Sequence, residues 1–239
     1  MIVLNNVGMS YESGNTEIPV LRNINLVLPQ GRRIAVLGGA GSGKSTLIRL
    51  LAGIDDPTQG TIERYASVSF PVGYPGGMKR NLTLRQNLLF ACRIYGADPE
   101  EVIEFVRGAI GFGEYFDEPM RELPAPLRPL FAVVRSYAIP FDTYLIDGLL
   151  AAGTPENRQK CLAMFEARAR ERGIIMTVRD VRIARRYCDM GAVIHNQQIT
   201  LYDHMDDAIY AYETLGVQPS APENVEEVAN ISTGLEEEE

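Results

Sequence analysis

The chain opens with short apolar runs separated by turn formers. Ile2-Val3-Leu4 and Leu26-Val27-Leu28 read as strands, and the loop Glu12-Ser13-Gly14-Asn15-Thr16 between them is rich in turn residues. Pro29-Gln30-Gly31 predicts a turn, and Arg33-Ile34-Ala35-Val36-Leu37 predicts an apolar strand after it. A helix follows over 46–51. Gly53 ends it, and Asp55-Asp56-Pro57-Thr58-Gln59-Gly60 makes the next turn. Thr61-Ile62-Glu63 and Val68-Ser69-Phe70 are short strand candidates.

From about 84 to 138 the apolar period lengthens to that of a helix. The stretch 84–95 has apolar residues at helical spacing, and 99–106 opens with Pro99 and two glutamates in its first turn. Apolar strands then return at Tyr144-Leu145-Ile146 and Ile174-Ile175-Met176-Thr177-Val178, with a helix over 155–172 between them. Such a strand–helix–strand crossover implies a parallel sheet. Ala192-Val193-Ile194 and Gln198-Ile199-Thr200-Leu201 read as a hairpin turning at Asn196-Gln197.

One stretch carries recognisable chemistry. Gly38-Gly39-Ala40-Gly41-Ser42-Gly43-Lys44-Ser45-Thr46 satisfies G-x-x-x-x-G-K-[ST], between a predicted strand and a predicted helix. Glycines let such a loop bring its backbone N–H groups against phosphate. Lys44 offers positive charge to terminal phosphates, the Ser45 hydroxyl is placed to ligate Mg²⁺, and the helix N-terminus adds its dipole. The expected ligands are therefore a nucleotide and Mg²⁺. Tyr144-Leu145-Ile146-Asp147 reads as the second nucleotide motif, with Asp147 holding the metal through water.

Composition narrows the classes. The 239 residues are 46% hydrophobic and 23% charged, enough to bury a core without staples. Cys92, Cys161 and Cys188 have no paired spacing, which argues against disulfides or zinc and suits a reducing cytosol. No secretory signal and no membrane span is expected. Seven of the eight net negative charges sit in 220–239, an acidic tail expected to be disordered. The body is near neutral and lacks the basic stripe that nucleic-acid binding needs.

The flanks of the loop choose among nucleotide-binding families. Val20-Leu21-Arg22-Asn23-Ile24-Asn25-Leu26, Gly31, Leu51-Ala52-Gly53 and Pro57-Thr58-Gln59-Gly60-Thr61-Ile62 resemble the ABC ATPase domain. Thr61-Ile62-Glu63-Arg64, Ser67-Val68-Ser69-Phe70-Pro71-Val72-Gly73-Tyr74, Asn87-Leu88, Ala91-Cys92-Arg93-Ile94-Tyr95-Gly96 and Tyr187-Cys188-Asp189-Met190-Gly191-Ala192-Val193 resemble its polysaccharide-export branch, as in capsule exporters. The resemblance covers about 1–213. It implies an α/β P-loop NTPase core of the ABC type, with an N-terminal antiparallel β subdomain and a helical subdomain inserted at about 84–140. It further implies a dimer with a second ATP-binding subunit, the same chain or another, seated on integral-membrane permease subunits at the cytoplasmic face of the membrane. Each ATP would lie between one chain's loop and its partner's signature motif. Tyr11 stands where the family has a ring stacked on adenine, the plainer reading being an ordinary strand tyrosine.

The same resemblance marks departures. Leu123-Pro124-Ala125-Pro126-Leu127 replaces a signature close to Leu-Ser-Gly-Gly-Gln, with Pro124 the family's 23 residues before Asp147. Proline has no N–H, and alanine and leucine have no polar side chain. Gly148 takes the place of the glutamate that polarises the attacking water; losing such a base typically costs ~10²–10⁴ in rate. Thr154 replaces an aspartate, and Arg179 a histidine near Val178-Arg179-Asp180. No glutamine lies in 71–74, and Gln86 is far along to serve there. No catalytic residue is assigned. Arg179 is read as a guanidinium near the γ-phosphate, the alternative being solvent or a pair with Asp180. The expectation is Mg-ATP binding with slow or absent turnover, a pseudo-ATPase. Two other readings are a nucleotide-responsive regulatory protein detached from transport, and a working ATPase using Asp142 or Asp180 as base.

Overall fold

The computed structural model describes residues 1–14, 16–109 and 111–216, so the acidic tail lies outside the described residues. In chain order β1 (Ile2–Ser13) and β2 (Thr16–Leu28) come first, then β3 (Arg33–Gly38), α1 (Lys44–Ala52), β4 (Gln59–Arg64) and β5 (Val68–Pro71). The first two strands run far longer than their apolar triplets suggest. Ile2 faces Leu28, and the antiparallel register continues to Ser13 opposite Thr16. Register shifts at Leu4/Val7, Val7/Met9 and Met9/Ser10, with Asn6 at φ 50°, explain why plain alternation is lost along β1.

Three helices follow β5: α2 (Leu84–Tyr95), α3 (Pro99–Ala109) and α4 (Leu127–Ala138). Helix α2 starts at a reciprocal cap. The Thr83 hydroxyl accepts from the Gln86 N–H, and the Gln86 side chain accepts from the Thr83 N–H, each at 3.0 Å. Glycines in the left-handed region end α1 and α2 at Gly53 and Gly96. Then come β6 (Thr143–Asp147), α5 (Pro155–Glu171), β7 (Gly173–Thr177), α6 (Val181–Tyr187), β8 (Met190–His195), β9 (Gln198–Tyr202) and α7 (Met205–Thr214). The β8–β9 turn has positive φ at Asn196 and Gln197, as a two-residue hairpin loop requires. Helices α6 and α7 have no counterpart in the apolar pattern.

The strands form two sheets. The smaller, β2-β1-β4, is antiparallel; the larger runs β5-β6-β7-β3-β8-β9, parallel except for β9. Alternation across the larger sheet divides the interior. Ala35, Leu37, Tyr144, Ile146, Ile174 and Met176 face a core shared with α2 to α7. Ile34, Val36, Leu145, Ile175, Ala192 and Ile194 face a second core, shared with α1 and the small sheet. The Arg22 N–H donates to the Gln197 carbonyl at 3.0 Å, and the Gln198 amide donates back to the Arg22 carbonyl at 2.7 Å. These bonds fasten the small sheet to the edge of the large one. All parallel strands point the same way, so their C-terminal ends form one rim, where open α/β sheets place ligands.

Candidate functional site

Strand β3 delivers the chain to that rim at Gly38, and the loop closes into α1 at Gly43. Gly43 sits at φ 101°, where its Cβ would lie 2.6 Å from Val20 Cγ1, so only glycine fits. Lys44 begins the helix and folds back over the loop. Its Nζ donates to the Gly38 and Gly39 carbonyls, both at 2.7 Å. Its ammonium is held below the ordinary lysine value, by burial first and then by the charge of Arg179; Asp147 acts the other way. The Ser42 Oγ is buried and has no hydrogen-bond partner among the described residues. An orphaned donor, a partly desolvated cation and a helix N-terminus converge here, and all three suit an anion. Gly39, Ala40 and Gly41 complete the loop, with Ala40 and Gly41 exposed to solvent.

The neighbouring strands bring their own groups to the rim in register. Val36 pairs with Thr177, and Thr177 pairs with Asp147, so β3, β7 and β6 end side by side. The Thr177 hydroxyl donates to Asp147 Oδ1 at 2.8 Å. Sequence reading passed over Thr177; its one signal is a polar residue closing an apolar strand. Ser45, exposed in the first turn of α1, and Asp147 supply the hard oxygen atoms that Mg²⁺ prefers, so the donor set fits that ion.

Tyr11 stands beside α1 with its side chain 39% exposed. Its hydroxyl lies 3.2 Å from the Thr46 Oγ1 and donates to Asp55 at 3.4 Å. Asp55 is gripped by Arg49 through two bonds of 2.6 and 2.8 Å, which hold its carboxyl below the ordinary carboxylate value. Tyr11 is therefore anchored at its polar tip, next to the loop's last residue.

The departures from the family pattern have structural occupations. Gly148 adopts φ +74°, a conformation L side chains avoid, although a Cβ there would meet nothing within 4 Å. Thr154 caps α5, its hydroxyl accepting from the Asn157 N–H at 3.4 Å. Gln86 is spent on the cap of α2. Asp180 caps α6 and binds Arg182 through its carboxylate at 2.8 and 3.1 Å. Asp142 precedes β6 and so lies at the opposite edge of the sheet from the loop, bonded to the Ser67 N–H and hydroxyl. It cannot act as a base on a nucleotide at the rim.

Helix α4 begins at the altered signature. Pro124, Ala125 and Pro126 are exposed, and Pro126 caps the helix without a side-chain bond. The Leu127 N–H donates to the Pro124 carbonyl at 2.9 Å and the Arg128 N–H to the Ala125 carbonyl at 3.3 Å. Pro124, Pro126 and Pro129 have no N–H. A helix N-terminus that normally offers several donors offers, over 124–129, the Ala125 N–H alone.

Further along α4, Arg135 is buried at 3% exposure and lies over the Phe70 ring at 4.5 Å. It donates to the Tyr74 carbonyl at 2.8 Å and the Gly76 carbonyl at 3.4 Å, while the Ser136 hydroxyl accepts from the Gly73 N–H at 3.1 Å. The loop after β5 is thereby tied to the helix that carries the altered signature. The one sequence signal for it was an arginine inside the apolar run 130–138.

Comparison with known proteins gives a consistent picture. The family model described as ABC transporter matches residues 21–70. The ATP-binding protein BexA of Haemophilus influenzae is 38% identical over 213 residues, covering 89% of this chain and 98% of that protein. The capsule polysaccharide export ATP-binding protein CtrD of Neisseria meningitidis is 34% identical over 216 residues, covering 90% and 100%. Among solved structures, a dimeric ATP-binding cassette bound to ADP and Pi in a post-hydrolysis state superposes with TM-score 0.68. It is 18% identical, over 85% of this chain and 98% of that one, and shares the fold.

Proposed function

The chain belongs to the ABC transporter ATP-binding family, and from that premise we propose that it is the ATP-binding subunit of a polysaccharide exporter, holding Mg-ATP while turning it over slowly or not at all. Gly38 to Thr46 would cradle the phosphates, Lys44 would neutralise them, and Ser45 with Asp147 would hold Mg²⁺. Bound there, the ion would offset the charge of the phosphates. Tyr11 would meet the adenine ring. The export assignment follows the printed functions of relatives that match over nearly their whole length, CtrD above all.

One observation carries the claim of impaired turnover: over 124–129 the start of α4 keeps the Ala125 N–H and no other backbone N–H to give, the Arg128 guanidinium being turned back onto the Leu123 and Arg121 carbonyls. A partner chain facing this segment would find almost nothing to complete its phosphate site. On this chain's own side, Gly148 offers no base. Paired with itself, the protein lacks both contributions at both sites. Paired with an intact subunit, one site lacks the base and the other the signature donors. Nucleotide would then gate assembly or closure instead of driving repeated strokes.

No helix among the described residues is long and apolar enough to cross a membrane. Association with membrane permease subunits, at the cytoplasmic face, would run through the helical region formed by α2 to α4. The test measures Mg-ATP binding and phosphate release on one preparation purified with its neighbouring permease. Tight binding with release well below ~1 s⁻¹ supports the reading, and release at or above that ordinary enzyme range refutes it.

A further inference from the structure

Helix α1 ends in a turn that brings the chain back over its own side. Gly53 takes the left-handed conformation and its N–H donates to the Leu50 carbonyl at 3.1 Å; the Ile54 N–H donates to the Arg49 carbonyl at 3.0 Å. Asp55 is thereby set against Arg49, which holds both of its carboxylate oxygens in a fork, at 2.8 Å from Nε and 2.6 Å from a terminal nitrogen. Thr46 lies three residues before Arg49 and so on the same side of α1. Tyr11 reaches this side from β1, in the small sheet. Its hydroxyl contacts Asp55 Oδ2 at 3.4 Å and Thr46 Oγ1 at 3.2 Å. An ionised carboxylate only accepts, so the Tyr11 O–H points at Asp55 and the Thr46 hydroxyl donates to the Tyr11 oxygen. The phenol is held by two partners beside the phosphate loop, while Tyr11 stays 39% exposed.

We propose that Asp55 and Arg49 are positioning residues for nucleotide binding: gripped by Arg49, Asp55 fixes the Tyr11 ring as a preformed platform, so the pair acts on the base of the nucleotide and not on its phosphates. The inference rests on the reading of Tyr11 as the residue that meets adenine. A ring free to turn loses that freedom when a base lands on it, and the loss weakens binding. A ring already anchored at its hydroxyl has given up the freedom in the empty chain. Among the described residues the Asp55 carboxylate bonds Arg49 and Tyr11 and no residue of the loop from Gly38 to Ser45. Its influence on a nucleotide therefore passes through the Tyr11 hydroxyl.

Equilibrium titrations of the full chain with Mg-ATP and with inorganic triphosphate plus Mg²⁺, which supplies the phosphates without the base, test this. Tyr11→Ala should weaken ATP about tenfold or more, the size of a lost base–aromatic stack. Tyr11→Phe keeps the ring and removes its anchor; it and Asp55→Ala should each weaken ATP about fivefold. Asp55→Asn keeps an acceptor oxygen and should lose less. Triphosphate affinity should stay within about twofold of wild type in every variant, and adding Asp55→Ala to Tyr11→Phe should cost nothing further, because the two share one bond. Unchanged ATP affinity in Asp55→Ala, an equal loss for ATP and triphosphate, or a further loss in the double variant overturns the proposal and leaves ATP binding standing. A wild-type chain that binds ATP no better than triphosphate overturns the proposal and removes Tyr11 as the base platform. One that binds neither overturns the ATP-binding reading as well.

Discussion

The Thr177 hydroxyl donates to Asp147 Oδ1 at 2.8 Å, across the parallel pair that sets the two residues opposite each other. The bond fixes the rotamer of a carboxylate at the rim, the one that would hold Mg²⁺ under the proposed function. Partners that orient a metal-facing carboxylate are worth about 10–100-fold in metal affinity. Thr177→Val keeps the shape and removes the donor. Its ATP affinity measured with Mg²⁺ is expected to fall about tenfold, with little change in EDTA. Equal affinities for wild type and variant in both conditions would remove Thr177 from the site.

Restoring the missing carboxylate should not restore the enzyme. A Cβ on Gly148 has open space, so Gly148→Glu can be accommodated, at about 1 kcal/mol for its positive φ. The donors at the start of α4 remain absent in that variant. Phosphate release is expected to rise less than about tenfold over wild type, against the ~10²–10⁴ that a general base contributes in a complete site. A rise to the full range would show that α4 is not limiting. Thermal melts on the same samples check the cost of the backbone strain.

How much was legible follows from where the information resides. Helix α2 was read at its true ends because its apolar period is local. The phosphate loop was read because its constraints are backbone constraints that only glycine meets. Strands β1 and β2 were truncated because three irregularities in register shift the inward face along the strand. Helix α6 spans only Val181–Tyr187 with three arginines, too short and too charged to show a stripe. The roles of Thr154 and Gln86 emerged only with the fold. A sequence marks a residue as departing from a family pattern, whereas the cap that it makes depends on where the helix begins. Arg135 and Thr177 needed three-dimensional neighbours brought from distant segments.

Arg135 predicts a measurable structural weakness. Its guanidinium is desolvated enough to be pushed down to about 10, and it is tolerated because it binds the Tyr74 and Gly76 carbonyls and the Phe70 face. Arg135→Ala removes the donors to the Tyr74 and Gly76 carbonyls and opens a cavity, so a loss of roughly 3 kcal/mol is expected in denaturant unfolding. Arg135→Met restores volume without the donors and should lose less. If both variants match wild type, the tie between the loop and α4 contributes nothing to stability.

Asp142 gives the last prediction, and its sign can be worked through. The Ser67 hydroxyl and N–H, then Arg172, hold its carboxyl below the ordinary aspartate value. In the unfolded chain the same group takes up its proton near pH ~3.9. Below that pH the unfolded state binds more protons than the native state, so the stabilisation is complete above about pH 4 and is lost as pH falls through the depressed native value. Asp142→Asn cannot titrate. Its melting temperature should lie below wild type at neutral pH, and the gap should narrow as pH drops below about 4. Because Asp142 stands at the edge of the sheet opposite the phosphate loop, ATP affinity and any phosphate release should stay at wild-type levels at neutral pH. A collapse of phosphate release in Asp142→Asn, with the fold retained, would instead make it the substitute base that its position denies.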